Sequence, residues 1–229
     1  MRMVLQCGVA LLIVFRAPAF SQSPKPLATQ YVGCVRNGQG VDIASQRVQT
    51  PMFASKTGER AFAVVDAELI GRSCQNSPSL YVTEPHGSSQ LVFRQQSETA
   101  PDGSTYDGNG VEAIRWSPSG KRLLAEISQW NYGSDSGVNA KYVLFTHGDH
   151  AAIPISPTEA VSKQFKRPCV VGTKSIGWLD DDRIEVEASP IVQEDEEGIC
   201  DYALSCIQTP MRFSFDVRTG SAQPLGVAK

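Results

Sequence analysis

The chain has 229 residues, 41% of them hydrophobic and 20% charged, with 21 Lys and Arg against 24 Asp and Glu. This composition excludes a disordered chain, a collagen-like polymer and a low-complexity segment, and describes an ordinary globular domain with a real core. A net charge of −3, with no run of basic residues, gives no electrostatic basis for nucleic-acid binding.

Residues 1–15 open on a basic start and continue as an apolar stretch too short to span a bilayer, interrupted at Arg16. The segment reads as a signal peptide. Small residues at Ala19 and Ser21 set the expected cleavage after Ser21, giving a leader of 1–21 and a single domain of 22–229. A secreted or periplasmic location follows, with no membrane span after cleavage. The leader carries Arg2, Arg16 and no acid, so the remaining chain has a net charge of −5. Cys7 leaves with it. Cys34, Cys74, Cys169, Cys200 and Cys206 remain, and in an exported protein they are disulfide candidates before they are metal ligands. Cys34 with Cys74 is one natural pair, and the cluster of Cys169, Cys200 and Cys206 favours a bridge in the C-terminal third, with the connectivity left open. Five is odd, so at least one thiol is free or intermolecular. No C-x-x-C pair or interleaved histidine suggests zinc, and no cofactor is expected.

A repeat organises the rest of the chain. Residues 52–65 (Met-Phe-Ala-Ser-Lys-Thr-Gly-Glu-Arg-Ala-Phe-Ala-Val-Val) recur as 114–127 and, degenerately, as 176–186; Gly58 to Gly120 and Trp116 to Trp178 are both 62 residues. Each copy is an apolar strand end, a tight polar turn, an arginine and a second apolar strand, the pattern of a β-hairpin. Ser119-Gly120 suits a turn needing positive φ, and Asp180-Asp181-Asp182 suits one closed by side-chain bonds to its own backbone. In the second copy Leu123, Ala125 and Ile127 alternate with Leu124, Glu126 and Ser128. A further strand pair follows the first two hairpins, at Leu80–Thr83 with Leu91–Phe93 and at Tyr142–Phe145 with Ala152–Ile155, and the third unit closes with Met211–Val217 and a turn at Arg218-Thr219-Gly220. The expected fold is all-β, with antiparallel blade sheets in three units of about 50–96, 111–156 and 174–226, and Tyr31 to Val48 available for an irregular fourth. One linker helix is expected over about 157–166. Ser156-Pro157-Thr158-Glu159 has the form of a capping box, Ala160, Val161, Gln164 and Phe165 give an apolar stripe, and Pro168 ends it.

Trp116-Ser117-Pro118-Ser119-Gly120-Lys121-Arg122-Leu123 resembles the W-S-P-D-G-K-R-L signature of exported propeller blades in TolB-like proteins, in related WD-repeat-like blades and in the non-catalytic domain of prolyl-oligopeptidase relatives. Phe53 to Phe62 and Trp178 to Ile184 are weaker copies, and Leu80 to Ser88 is similar to the strand and turn that close such blades. The resemblance covers about two thirds of the expected domain and implies blade architecture in an exported bacterial protein. It carries no catalytic residue. Three units are fewer than the four to eight blades of closed propellers.

Chemistry-bearing motifs are sparse. His147-Gly148-Asp149-His150 brings two imidazoles and a carboxylate together but has the form of a hairpin turn. Asp180–Asp182 and Glu194–Glu197 lack the spacing of a calcium loop and read as acidic loops. Gly133-Ser134-Asp135-Ser136-Gly137 has Asp where a nucleophile elbow needs Ser. The candidate binding residues are Trp130, Asn131 and Tyr132, an amide between two aromatics beside a Gly/Ser-rich loop that suits a sugar or a peptide. The expected function is a non-catalytic binding or scaffold module with a protein or glycan partner, alone or as an oligomer. The alternatives are a hydrolase with a loop-built site and a carbohydrate-binding module using exposed aromatics.

Overall fold

The computed structural model describes residues 35–36, 43–44, 46–70, 73–96, 98–99, 105–106, 108–130, 139–167, 169–191, 193–194, 200–201 and 205–228. These form three principal antiparallel sheets, one for each repeat unit. A ribbon of β1 (Val35–Arg36) and β2 (Ile43–Ala44) precedes the first sheet, which comprises β3 (Gln46–Gln49), β4 (Phe53–Ala54), β5 (Arg60–Ile70), β6 (Ser73–Thr83) and β7 (Ser89–Arg94). A ribbon of β8 (Glu98–Thr99) and β9 (Thr105–Tyr106) leads to the second sheet: β10 (Gly108–Trp116), β11 (Arg122–Trp130), β12 (Asn139–Thr146) and β13 (Ile153–Ile155). Helix α1 (Pro157–Ser162) links it to the third, where β14 (Gly172–Trp178), β15 (Arg183–Ser189), β18 (Met211–Asp216) and β19 (Ser221–Val227) pair in that order around an excursion holding β16 (Gln193–Glu194) and β17 (Cys200–Asp201). Of the stretch from Tyr31 to Val48, the described residues give the first ribbon and β3, which joins the first sheet through β5.

The second sheet lies between the other two. Leu123, Ala125 and Ile127 join Ala61, Ala63, Val65 and Leu80 of the first sheet in one core, while Leu124 and Tyr142 join Ile184, Val186, Phe213 and Phe215 of the third in another. Both faces of β11 are therefore buried, and Leu123 through Gln129 are all inaccessible. Helix α1 packs Ala160 and Val161 into the second core.

Equivalent tryptophans tie the sheets together. Trp116 donates its indole N–H to the Phe53 carbonyl at 2.8 Å, and Trp178 donates its own to the Arg115 carbonyl at 3.0 Å, in both cases 63 residues back along the chain. The two rings are thus equivalent in role, and both are half-buried. The first unit has Ala54 at the corresponding position. The hairpin turns also stack. Gly120, at φ +81°, packs against the Ser55–Thr57 turn so closely that a Cβ would lie 3.1 Å from the Lys56 nitrogen. The third turn closes differently: Asp180 Oδ1 accepts the N–H groups of Asp182 and Arg183 at 2.9 and 2.8 Å, and Asp181 Oδ1 reaches the second unit to accept the Ser119 N–H at 2.7 Å. Arg122 completes this clasp on the Asp181 carbonyl at 2.6 Å and on the Asp182 carboxylate. The triplet read from sequence as a solvated loop thus locks two units together.

On its other face the third sheet is covered by paired charges. Lys174 meets Glu187 at 2.8 Å, and Arg212 meets Glu185 at 2.6 Å and Glu187 at 3.6 Å. Cys169 and Cys206 form a disulfide with Cα atoms 5.0 Å apart, as the C-terminal cluster suggested, pinning the excursion between β15 and β18 to the segment before β14. Cys74 is also disulfide-bonded. Its expected partner Cys34 lies outside the described residues, as does the side chain of Cys200.

The helix differs from its sequence expectation. It stops at Ser162, short of 166, and its N-cap Ser156 makes no side-chain cap bond. Glu159, which a capping box turns back toward the N-cap, instead meets Lys163 one turn ahead at 2.7 Å. Phe165 leaves helical register to pack edge-on against Phe213, with ring centroids 6.4 Å apart.

Candidate functional site

Because the second sheet is an up-and-down meander, the β10–β11 and β12–β13 turns lie at one end of it and the start of β12 lies at the other. At that second end lie Glu98 of the β8–β9 ribbon and helix α1. There a pocket of about 430 Å³ opens beside β12, lined by Glu98, Gln129, Ala140, Lys141, Tyr142, Pro154, Ile155, Ser156, Thr158, Glu159 and Ser162. Its volume lies in the range of small-ligand sites.

Three elements supply the polar groups of one wall. Lys141 on β12 pairs with Glu98 on β8, and its ammonium sits 6.0 Å from the centroid of the Phe93 ring. Gln129 on β11 donates from Nε2 to Glu98 Oε2 and to Asn109 Oδ1, each at 3.3 Å, and Asn109 donates onward to the Asn76 carbonyl at 3.0 Å. Burial pushes the Glu98 carboxyl up, but the Lys141 and Gln129 hydrogen bonds and the Lys141 charge outweigh it and hold the group below the ordinary carboxylate range. Glu98 is therefore ionised and fixed in place at neutral pH.

The opposite wall connects to the interface between the second and third sheets. The Tyr142 hydroxyl donates to Thr173 Oγ1 at 3.1 Å, and the Thr158 and Thr173 hydroxyls lie 2.5 Å apart. Burial raises the Tyr142 phenol well above its ordinary value, so it serves as a neutral donor. Deeper in the same interface the buried Glu126 carboxylate accepts the Ser175 N–H at 2.9 Å and the Ser175 hydroxyl, and Arg115 donates to that hydroxyl oxygen at 2.7 Å. Burial raises the Glu126 carboxyl, which Ser175 and the Arg115 charge offset only in part.

Of the candidate binding residues read from sequence, Trp130 is described, next in chain to the pocket-lining Gln129. Trp130 ends β11 half-buried, its indole laid over Gly108 on the neighbouring strand; a Cβ at Gly108 would come within 2.1 Å of the indole nitrogen. Asn131, Tyr132 and the 133–137 loop lie outside the described residues, as do Asp195, Glu196 and Glu197. His147 to His150 form a turn with Gly148 at φ +89°, and His147 Nδ1–H donates to the buried Glu59 carboxylate of the first unit at 2.7 Å. Glu98 and Lys141 were not among the sequence candidates, since 43 residues separate them and neither belongs to a motif. The available signal was a single charged residue inside the otherwise uncharged strand 139–146.

Compared with protein-family models and with curated proteins, the chain matches none.

Proposed function

We propose that this protein is a non-catalytic, exported binding module of propeller-like architecture, with its ligand seated in the pocket beside β12. The observation that carries the reading is the convergence of Glu98, Gln129 and Lys141, from three separate elements, on one wall of that pocket. Pre-positioned polar groups in a concave site suit recognition. Glu98 is engaged as an ion pair, which suits it to hold a ligand and not to exchange a proton. The carboxyl that burial shifts upward, Glu126, lies between sheets and does not line the pocket. Export is supported by the Cys169–Cys206 disulfide and by the leader-like first residues, and no helix among the described residues is long and apolar enough to cross a membrane. The bacterial, TolB-like part of the reading rests on the resemblance of residues 116–123.

The test is a thermal-shift panel of neutral oligosaccharides, amino acids and short peptides, run on the full chain and on Ser156→Trp. Ser156 lines the pocket and makes no side-chain cap bond, so the substitution fills the site without removing a cap interaction. A ligand at a hundredfold excess over its Kd raises the Tm by about 5–10 °C, and Ser156→Trp abolishes that shift. An equal shift in Ser156→Trp, no shift from any probe, or turnover of the bound ligand overturns the reading.

A further inference from the structure

We infer that the pocket captures an extended, uncharged polypeptide segment of a partner protein, which pairs as a strand with the open edge of β12. This rests on the binding-module reading and names its ligand class. The argument begins with the ladder. His147 N–H donates to the Lys121 carbonyl at 2.8 Å, and Thr146 is opposite Arg122, so odd-numbered residues of β12 exchange bonds with β11 and even-numbered ones point their N–H and C=O away from it. Tyr142 and Leu144 meet β13 in this way, opposite Ile155 and Ile153. Pro154 falls between them, opposite Val143, at a position that needs no N–H toward β12.

The next even residue is Ala140. In the same register its partner would be Pro157, which has no N–H and begins helix α1 instead. Pairing on this side stops at Tyr142, although β11 accompanies β12 on the other side as far as Asn139. Ala140 therefore presents one N–H and one C=O outward into the pocket it lines. A donor and an acceptor on one residue, at strand spacing, are matched by the backbone of another extended chain; this is the chemistry of strand addition. The charges select the occupant further. Lys141 is neutralised by Glu98, and Glu159 is neutralised by Lys163, so a charged side chain entering here would have to break an existing pair. Ile155 and Pro154 give the segment an apolar contact.

The test pans a phage-displayed library of random heptapeptides on the oxidised full chain, followed by titration of the recovered peptides against variants. Because the Ala140 N–H takes no part in the β11 ladder, Ala140→Pro removes only the outward donor and leaves the sheet intact, which an unchanged Tm verifies. The recovered peptides are expected to be uncharged, to bind Ala140→Pro about tenfold more weakly or worse, and to bind Ala140→Gly within about threefold of the parent. If Ala140→Pro does not fold, synthetic peptides methylated at alternate backbone nitrogens test the same bond, and one methylation pattern alone is expected to abolish binding to the unmodified chain. Peptides that bind Ala140→Pro as tightly as the parent but lose binding to Ser156→Trp overturn strand pairing while leaving the binding-module reading standing. An oligosaccharide that binds in place of any peptide does the same, as does a dimer of the full chain that Ala140→Pro makes monomeric, since the occupant is then a second copy. A library that yields no peptide, together with a thermal-shift panel that yields no ligand, overturns both.

Discussion

Trp178 and Arg115 lie 63 residues apart in sequence and 3.0 Å apart in space, indole nitrogen to carbonyl oxygen. The same offset joins Trp116 to Phe53 at 2.8 Å. A bond repeated at a fixed chain separation explains why tryptophan returns after 62 residues: each ring reaches the preceding unit one residue short of its own counterpart.

If the two bonds are equivalent, Trp116→Phe and Trp178→Phe cost the same. Each removes a donor and leaves a part-buried carbonyl, worth about 1 kcal/mol. Urea midpoints of the two variants are expected to fall together, to within a few tenths of a kcal/mol, with the Tm lower by about 2–4 °C in each.

Gly108 is held small by Trp130. A methyl group there would lie 2.1 Å from the indole nitrogen and 2.2 Å from the adjacent ring carbon, so Gly108→Ala must eject the ring. The expected cost is about 1–3 kcal/mol, accompanied by a red-shifted tryptophan emission. In a Trp130→Ala background the same Gly108→Ala substitution is expected to cost less than half as much, and a double-mutant cycle measures the difference.

His147 titrates above its ordinary value, because the Glu59 hydrogen bond and charge favour the imidazolium. A cation with a raised folded value stabilises fully below its unfolded value near 6.5, and the contribution disappears as pH climbs through the higher folded value. NMR titration of the imidazole is expected to show the raised midpoint in the parent and a return toward 6.5 in Glu59→Gln. The stability effect is small, since the ring is exposed.

Glu126 behaves in the opposite sense to an ordinary ion-paired carboxylate. Its folded value is raised by burial, so the folded chain keeps a proton that the unfolded chain has already lost, and stability falls as pH rises through that window. Urea unfolding between pH 4.5 and 8 is expected to show Glu126→Gln gaining stability relative to the parent as pH increases. A constant difference across the range would show that the carboxyl titrates normally.

Local patterns made the hairpins legible, because turn chemistry and alternation act over a few residues. Leu123, Ala125 and Ile127 were separable from Leu124, Glu126 and Ser128 by period alone. What the second set faces was not. Glu126 and Ser128 have the polarity of a solvent face, yet a whole sheet covers them, and the Ser175 partner of Glu126 arrives from 49 residues away. The helix shows the converse. Its capping signature lost to one local and one tertiary competitor: Lys163, a turn ahead, drew Glu159 forward, and Phe213 drew Phe165 out of register. The pocket was invisible for a related reason: Glu98 and Lys141 become neighbours only once the first and second sheets are packed.

Units that each offer a donor backward and an acceptor forward are the ingredients of a head-to-tail fibre, in which every molecule extends the last. Here the leading unit carries Ala54 in place of the tryptophan that would reach backward. The trailing sheet turns outward a mesh of Lys174, Glu187, Arg212 and Glu185 that another unit could cover only by stripping four charges of water. Ala54 at the leading end and the charged mesh at the trailing end thus disfavour head-to-tail addition of a further unit.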